Sequence, residues 1–183
     1  MSLWDALKSV SAAFGSKSLT INQSIQWTGY TNVKDRNLLI DAICETYDRA
    51  VIRPEGQGVF YPEGGRTFCN LVVSEIAEKM GCHDLNGLMA NDICDLVSAS
   101  SNWKKVLMQD TQAMANLGTF ILAVQKDSPH GHVCVVRPGK DKFSGRYGKV
   151  PSVMNVGKDV AISKGVNWAF RDLPDFYAWG PSI

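Results

Sequence analysis

The chain has 183 residues, of which 45% are hydrophobic and 20% are charged, as expected for one globular domain with a buried core. Nineteen Lys and Arg residues balance eighteen Asp and Glu residues, so the chain lacks the overall positive charge of a nucleic-acid-binding protein. No apolar run approaches the roughly 18 residues that a membrane-spanning helix needs, so the sequence predicts no membrane span.

The N-terminal region, residues 1–60, is expected to be a helical extension packed on the rest of a single domain that covers residues 1–183. Residues 1–15 predict an amphipathic helix, because apolar residues recur there at helical spacing. This segment lacks the basic region and the continuous apolar core of a secretory signal. We therefore expect a protein made in the cytoplasm without a signal peptide. Residues 16–33 are polar and rich in turn-forming residues.

Two further helices are predicted before the middle of the chain. The first covers residues 35–50, where apolar residues recur at intervals of three and four. A loop rich in Gly and Pro follows at residues 53–66. The second helix begins at Cys69, carries one continuous apolar stripe to Met80, and ends at Gly81. Cys69 is therefore expected in the first turn of a buried helix.

The remaining elements predict a sheet. A short helix is expected to begin with Asn91 or Asp92 as its N-cap. Apolar runs then predict strands at residues 119–124, 132–136 and 151–156, with a fourth at 166–170. Helices followed by strands with hairpin-like connections are typical of an α+β fold, with the helices packed on an antiparallel sheet.

One basic segment stands out between the second and third predicted strands. In residues 137–149, five Lys and Arg residues outnumber Asp141, and three glycines lie between them. This composition predicts a solvated hairpin tip. A contact with an acidic polymer is the open alternative.

The five cysteines are at positions 44, 69, 82, 94 and 134. Their number is odd and none forms a C-x-x-C pair, so neither a disulfide framework nor a metal site is predicted. Cys69 alone lies at a helix N-terminus, where the helix dipole and free N–H groups favour a thiolate and are able to bind an oxyanion. Cys69 is therefore a candidate nucleophile, with a buried structural cysteine as the alternative.

The candidate base is one of three histidines, at positions 83, 130 and 132. His132 begins a predicted strand and shares one strand face with Cys134 and Val136. A strand holds such a side chain rigidly against a helix packed on the sheet, as a general base requires. His83 lies in a turn, and His130 lies in a loop after Pro129.

Three segments resemble the NlpC/P60 and CHAP superfamily of papain-like peptidoglycan amidases and endopeptidases. They are the Cys69 segment (residues 67–75), the strand at residues 118–124 and the Gly-His-Val segment at residues 131–136. The family pattern is a Cys that opens a helix, a Gly-His that enters a strand, and a polar residue on the next strand. The resemblance runs from about Tyr61 to Gly157. It implies a papain-like fold in which the Cys helix packs on the central antiparallel sheet.

The resemblance also implies roles for individual residues. Cys69 is the implied nucleophile, His132 the base, and Asn155 the residue that orients the imidazole. A turn or edge position is the other interpretation of Asn155. Substrate contacts are implied for Tyr61, Asn70 and Asn91. For Tyr61, the alternative is an aromatic residue that packs beside Phe60. The sequence Phe-Cys-Asn-Leu stands in place of the common Asp-Cys-Ser-Gly motif. In this respect the chain resembles phage-type or interbacterial-effector members of the superfamily.

The expected function is hydrolysis of an amide bond in the stem peptide of bacterial peptidoglycan, without a metal or cofactor. The expected partners are the wall peptide and an immunity or delivery protein, and the chain is expected to be a monomer that acts on the cell wall after release or injection. Two alternatives stay open. One is a non-catalytic phage or wall-binding module with the same fold, and the other is a thiol acyltransferase on another substrate.

Overall fold

The computed structural model describes residues 33–51, 60–62 and 64–180. The expectations for residues 1–15 and 16–32, and for residues 53–59 and 63 of the predicted loop, lie outside these ranges. The described elements are, in chain order, α1 Val33–Val51, α2 Cys69–Lys79, α3 Ala90–Ala99, β1 Trp103–Val106, α4 Met108–Asn116, β2 Ile121–Gln125, β3 His132–Val136, β4 Lys142–Ser144, β5 Gly148–Val150, β6 Ser152–Val156, β7 Val160–Gly165, α5 Val166–Ala169 and β8 Asp175–Trp179. No helix within the described ranges is both long enough and apolar enough to cross a membrane.

The central feature is a six-stranded sheet in the order β1-β8-β2-β3-β6-β7. Every neighbouring pair in this sheet is antiparallel. The predicted α+β class with an antiparallel sheet is thereby confirmed. Strands β2 and β3 lie in the middle, and their apolar runs are buried because both faces of the sheet are covered.

Alternation along β3 divides the core between the two faces of the sheet. Val133 and Val135 belong to a cluster that includes the apolar stripe of α2 and the buried side of α3. Cys134 and Val136 belong to a second cluster on the other face, which includes Phe170. The ring of His132 packs against Phe170, so His132 shares the face of Cys134 and Val136 as predicted.

Two sequence predictions about local structure are wrong. Residues 166–169 form a helical turn instead of part of a strand, because Val166 and Phe170 are buried four residues apart while Trp168 between them is 53% exposed. Helix α3 has Met89 as its N-cap instead of Asn91 or Asp92. The Asp92 carboxylate accepts a hydrogen bond from the Met89 N–H at 3.2 Å, so Asp92 caps the helix from inside its first turn.

The basic segment contains the expected hairpin, formed by β4 and β5. Arg137 is not part of that solvated tip, because its side chain is only 8% exposed. Its guanidinium binds the carboxylates of Asp41 and Glu45, each at 2.8 Å, and donates to the carbonyl of Ile162 at 3.1 Å. Arg137 therefore joins α1 to strands β3 and β7.

Candidate active site

Cys69 is the first residue of α2, and its position follows from the sequence on both sides of it. A turn at Gly64 and Gly65 precedes the helix, and the N-cap Phe68 makes no side-chain capping hydrogen bond. The buried stripe of α2 then packs the helix on the sheet. Cys69 is 5% exposed, and its thiol makes a hydrogen bond with the backbone of Val133. The helix therefore begins with its thiol against the start of β3.

The environment of Cys69 does not produce the expected stabilised thiolate. Burial raises the pKa of the Cys69 thiol, although hydrogen bonds with the backbone of Val133 and Asn70 and with the Thr67 side chain act in the opposite direction. Desolvation of a charged sulfur outweighs these hydrogen bonds. The resting thiol is therefore protonated near neutral pH, and a base has to remove its proton before it acts as a nucleophile.

Three other thiols are harder to ionise or more deeply enclosed. Burial raises the pKa of Cys82 to about 12 and that of Cys94 to about 11. Burial also raises the pKa of Cys134 well above its usual value. Cys69 is the only one of these four at a helix N-terminus. The contrast leaves Cys69 as the candidate nucleophile among them.

The imidazole of His132 is held by Asn155. Nε2 of His132 lies 2.5 Å from Oδ1 of Asn155, and Nδ2 of Asn155 donates to the carbonyl oxygen of Asp159 at 2.6 Å. A carbonyl only accepts hydrogen bonds, so the amide nitrogen faces Asp159 and the amide oxygen faces the ring. Nε2 of His132 must then carry the proton, which leaves Nδ1 with a free lone pair.

The electrostatic environment keeps this imidazole neutral. Burial lowers the pKa of His132, and the hydrogen bond with Asn155 opposes that shift. A neutral imidazole and a protonated thiol are the resting forms expected of a general base and its nucleophile. The structure shows no hydrogen bond between the two groups; the thiol instead contacts the backbone of Val133, the residue after His132. Catalytic hydrogen bonds of this kind are often long before substrate binds.

Of the predicted substrate residues, Asn70 lies in the first turn of α2 and Asn91 in the first turn of α3. Nδ2 of Asn70 donates to the carbonyl of Leu88 at 2.9 Å, which holds the segment before α3 against α2. Asn91 binds the backbone of Asp127 with both ends of its amide, at 2.9 and 3.2 Å. Tyr61 is 49% exposed. Asn70 and Asn91 thus have structural partners, and a contact of any of the three with substrate stays a prediction.

Some residues at the site had no sequence signal. Phe170 lies in a segment predicted as a strand, and nothing in its spacing indicated a contact with His132. The sequence indicated no role for Gly157 or Asp159, although both contact the His132–Asn155 pair. Their roles depend on pairing between strands, which a local pattern does not encode.

The remaining histidines, His83 and His130, are exposed. In the ranges that the structure describes, no group of three or more His, Cys, Asp or Glu side chains is placed to hold a metal ion. No protein-family model matches the chain, and no curated protein matches it.

Proposed function

We propose that this protein is a papain-like cysteine hydrolase of the NlpC/P60 type, which cleaves an amide bond in the stem peptide of bacterial peptidoglycan. The observation that carries the proposal is the 2.5 Å contact between Nε2 of His132 and Oδ1 of Asn155. That contact leaves the lone pair of the imidazole on Nδ1, away from Asn155. The Cys69 thiol makes a hydrogen bond with the backbone of Val133, the next residue of the same strand. The sequence resemblance supplies the substrate class.

The first half of the reaction forms an acyl-enzyme. Nδ1 of His132 takes the proton from the Cys69 thiol, and the sulfur attacks the peptide carbonyl carbon. Free N–H groups at the start of α2 stabilise the negative oxygen of the tetrahedral intermediate. The imidazolium then returns its proton to the departing amine, the C–N bond breaks, and the thioester remains.

The second half releases the acid product. Nδ1 of His132 takes a proton from a water molecule, and the resulting hydroxide attacks the thioester carbon. The C–S bond breaks and the sulfur recovers the proton from His132. Asn155 holds the ring in one tautomer throughout, and its carboxamide oxygen stabilises the imidazolium that forms in each half.

The buried pair also favours an enzyme over a non-catalytic module of the same fold. Asn155 is 4% exposed, and both ends of its amide are used, one by the ring and one by the turn that follows. A binding module has no need for a buried amide that orients an imidazole, since burying polar groups costs free energy.

The test is digestion of purified peptidoglycan, with the products identified by mass spectrometry and Cys69→Ala as the matched control. We expect fragments with one new amine and one new carboxyl group at a single position of the stem peptide, and none with the variant. Products that carry an added amine or alcohol in place of water would assign acyl transfer instead. Intact peptidoglycan after incubation with the folded wild-type protein would contradict the proposal.

A further inference from the structure

The ring of His132 makes two contacts besides its hydrogen bond, one with Gly157 and one with Phe170. A Cβ atom built on Gly157 would lie 2.8 Å from Cε1 and 3.3 Å from Nε2 of His132. Both distances are shorter than van der Waals contact. The imidazole therefore occupies the space that any side chain larger than hydrogen at position 157 would need.

The register of the sheet explains this contact. Strands β3 and β6 pair Val135 with Met154 and Val136 with Val153, so the same antiparallel register carried on places His132 opposite position 157. The φ angle of Gly157 does not lie in the positive range that favours glycine. Its backbone conformation is thus one that other residues adopt, and the reason for glycine is the imidazole above it.

The turn after β6 joins Gly157 to Asn155. The carbonyl oxygen of Asp159 accepts from Nδ2 of Asn155 at 2.6 Å and from the N–H of Gly157 at 3.3 Å. One carbonyl group therefore fixes both Asn155, the hydrogen-bond partner of the ring, and Gly157, against which the ring lies. A shift of this turn would move both together.

Phe170 provides a second contact with the ring. The centroids of the two rings are 4.9 Å apart and their planes meet at 51°. Phe170 is 5% exposed, and it follows the short helix α5, whose first N–H donates to the carbonyl of Pro151 at 3.0 Å. The helical turn that replaces the predicted strand thus delivers an aromatic ring to His132.

We infer that Gly157 and Phe170 are positioning residues, which together fix the plane of the His132 ring. The absence of a side chain at position 157 lets the ring lie where Nε2 reaches Asn155, and the aromatic ring of Phe170 restricts rotation away from that position. The tautomer of His132 thereby depends on two residues that have no ionisable side chain and make no hydrogen bond with the ring. The consequence for hydrolysis rests on the proposed function, whereas the consequence for the imidazole does not.

The test compares Gly157→Ala with Gly145→Ala. A Cβ at position 145 would have no heavy atom within 4 Å, so the control makes the same chemical change in open space. Three measurements apply: ¹⁵N and ¹H NMR of the His132 imidazole, the pH profile of Cys69 alkylation, and kcat and KM for peptidoglycan hydrolysis.

We expect Gly157→Ala to fold, to lose the signal of a hydrogen-bonded Nε2–H, and to reduce kcat on the order of a hundredfold with little change in KM. Gly145→Ala should match the wild type in all three measurements. Phe170→Leu keeps apolar volume but removes the flat ring, and we expect a loss of about tenfold in kcat and a broadened Nε2–H signal.

An unchanged Nε2–H signal in Gly157→Ala would overturn the inference, whatever the rate of hydrolysis. If circular dichroism shows that Gly157→Ala does not fold, the Nε2–H signal of Phe170→Leu decides the question in the same way. If the wild type cleaves no peptidoglycan, the proposed function fails, while the NMR comparison still decides whether these residues position the ring.

Discussion

The carboxamide oxygen of Asn155 lies 2.5 Å from Nε2 of His132, although the two residues are 23 positions apart in the sequence. The other end of the amide is occupied by the carbonyl of Asp159, so the amide does not turn over without the loss of that hydrogen bond. The direction of one backbone carbonyl therefore sets the tautomer of the candidate base. The imidazole nitrogen that stays unprotonated is the one that the proposed mechanism assigns to the proton of Cys69.

This relationship predicts a graded response at position 155. Asn155→Ala frees the ring to rotate and to change tautomer, so kcat should fall about ten- to a thousandfold while KM stays nearly unchanged. Asn155→Asp keeps an acceptor and should retain more activity than the alanine variant. Steady-state kinetics on a stem-peptide substrate measures both. Equal, near-wild-type rates in two folded variants would remove Asn155 from the site.

Position 132 should be essential, and the other two histidines should not. His132→Ala removes the only proposed acceptor of the thiol proton, so hydrolysis should fall by several orders of magnitude. His83→Ala and His130→Ala are matched controls at exposed positions and should keep most of the activity. Peptidoglycan digestion with all three variants makes the comparison. A dead His130→Ala variant would move the base from the strand to the loop.

Cys69 should react with iodoacetamide faster than the other described cysteines at neutral pH. Burial raises the pKa of Cys82 to about 12 and that of Cys94 to about 11, whereas hydrogen bonds at the start of α2 oppose the effect of burial on Cys69. Because the thiolate is the reactive form, labelling of Cys69 should accelerate into the alkaline range. Peptide mapping after brief alkylation of the folded protein measures this. Preferential labelling of Cys82 or Cys134 would count against the assignment.

The lowered pKa of His132 predicts the pH dependence of both activity and stability. The neutral imidazole is the base, so kcat/KM should begin to fall only below the usual histidine value of about 6.5.

In the unfolded chain this histidine binds a proton near pH 6.5, whereas in the folded protein burial lowers its pKa. As the pH falls from about 6.5 toward that lowered pKa, the unfolded state binds more protons, and the free energy of unfolding decreases.

Urea unfolding at two pH values isolates this contribution when the wild type is compared with His132→Gln. Glutamine does not titrate, so the variant should lose less stability than the wild type between pH 7.5 and an acidic pH. The same loss in both proteins would show that His132 does not titrate differently on folding.

Arg137 should contribute to stability and not to catalysis. Arg137→Ala leaves the carboxylates of Asp41 and Glu45 without their guanidinium and removes a buried alkyl chain. Both carboxylates are partly exposed, at 46% and 38%, so we expect a loss of about 2 kcal/mol, less than for a fully buried pair. Lys126→Ala breaks an exposed ion pair with Asp95 and should change stability very little. Denaturant unfolding of both variants makes the measurement.

The site itself was only partly visible in the sequence. Asn155 was chosen through a family resemblance, since a single Asn beside Gly157 has no local signal of its own. Contacts of Asn155 and Gly157 with His132 arise because β6 pairs with β3 past the intervening β4–β5 hairpin. The raised pKa of Cys69 differs from the expected thiolate, because the sequence indicates a helix N-terminus but not how far burial outweighs the hydrogen bonds made there.

Local periodicity determined the parts of this protein that depend on neighbouring residues. The stripe that begins at Cys69 and the alternation from His132 to Val136 were readable from the sequence alone, because helical and strand periods are properties of short segments. Only the tertiary structure decided that β8 inserts between β1 and β2, that Phe170 reaches His132, and that Arg137 is buried. These features depend on contacts between distant segments, and the free energy of such contacts comes from burial and pairing that no local pattern specifies.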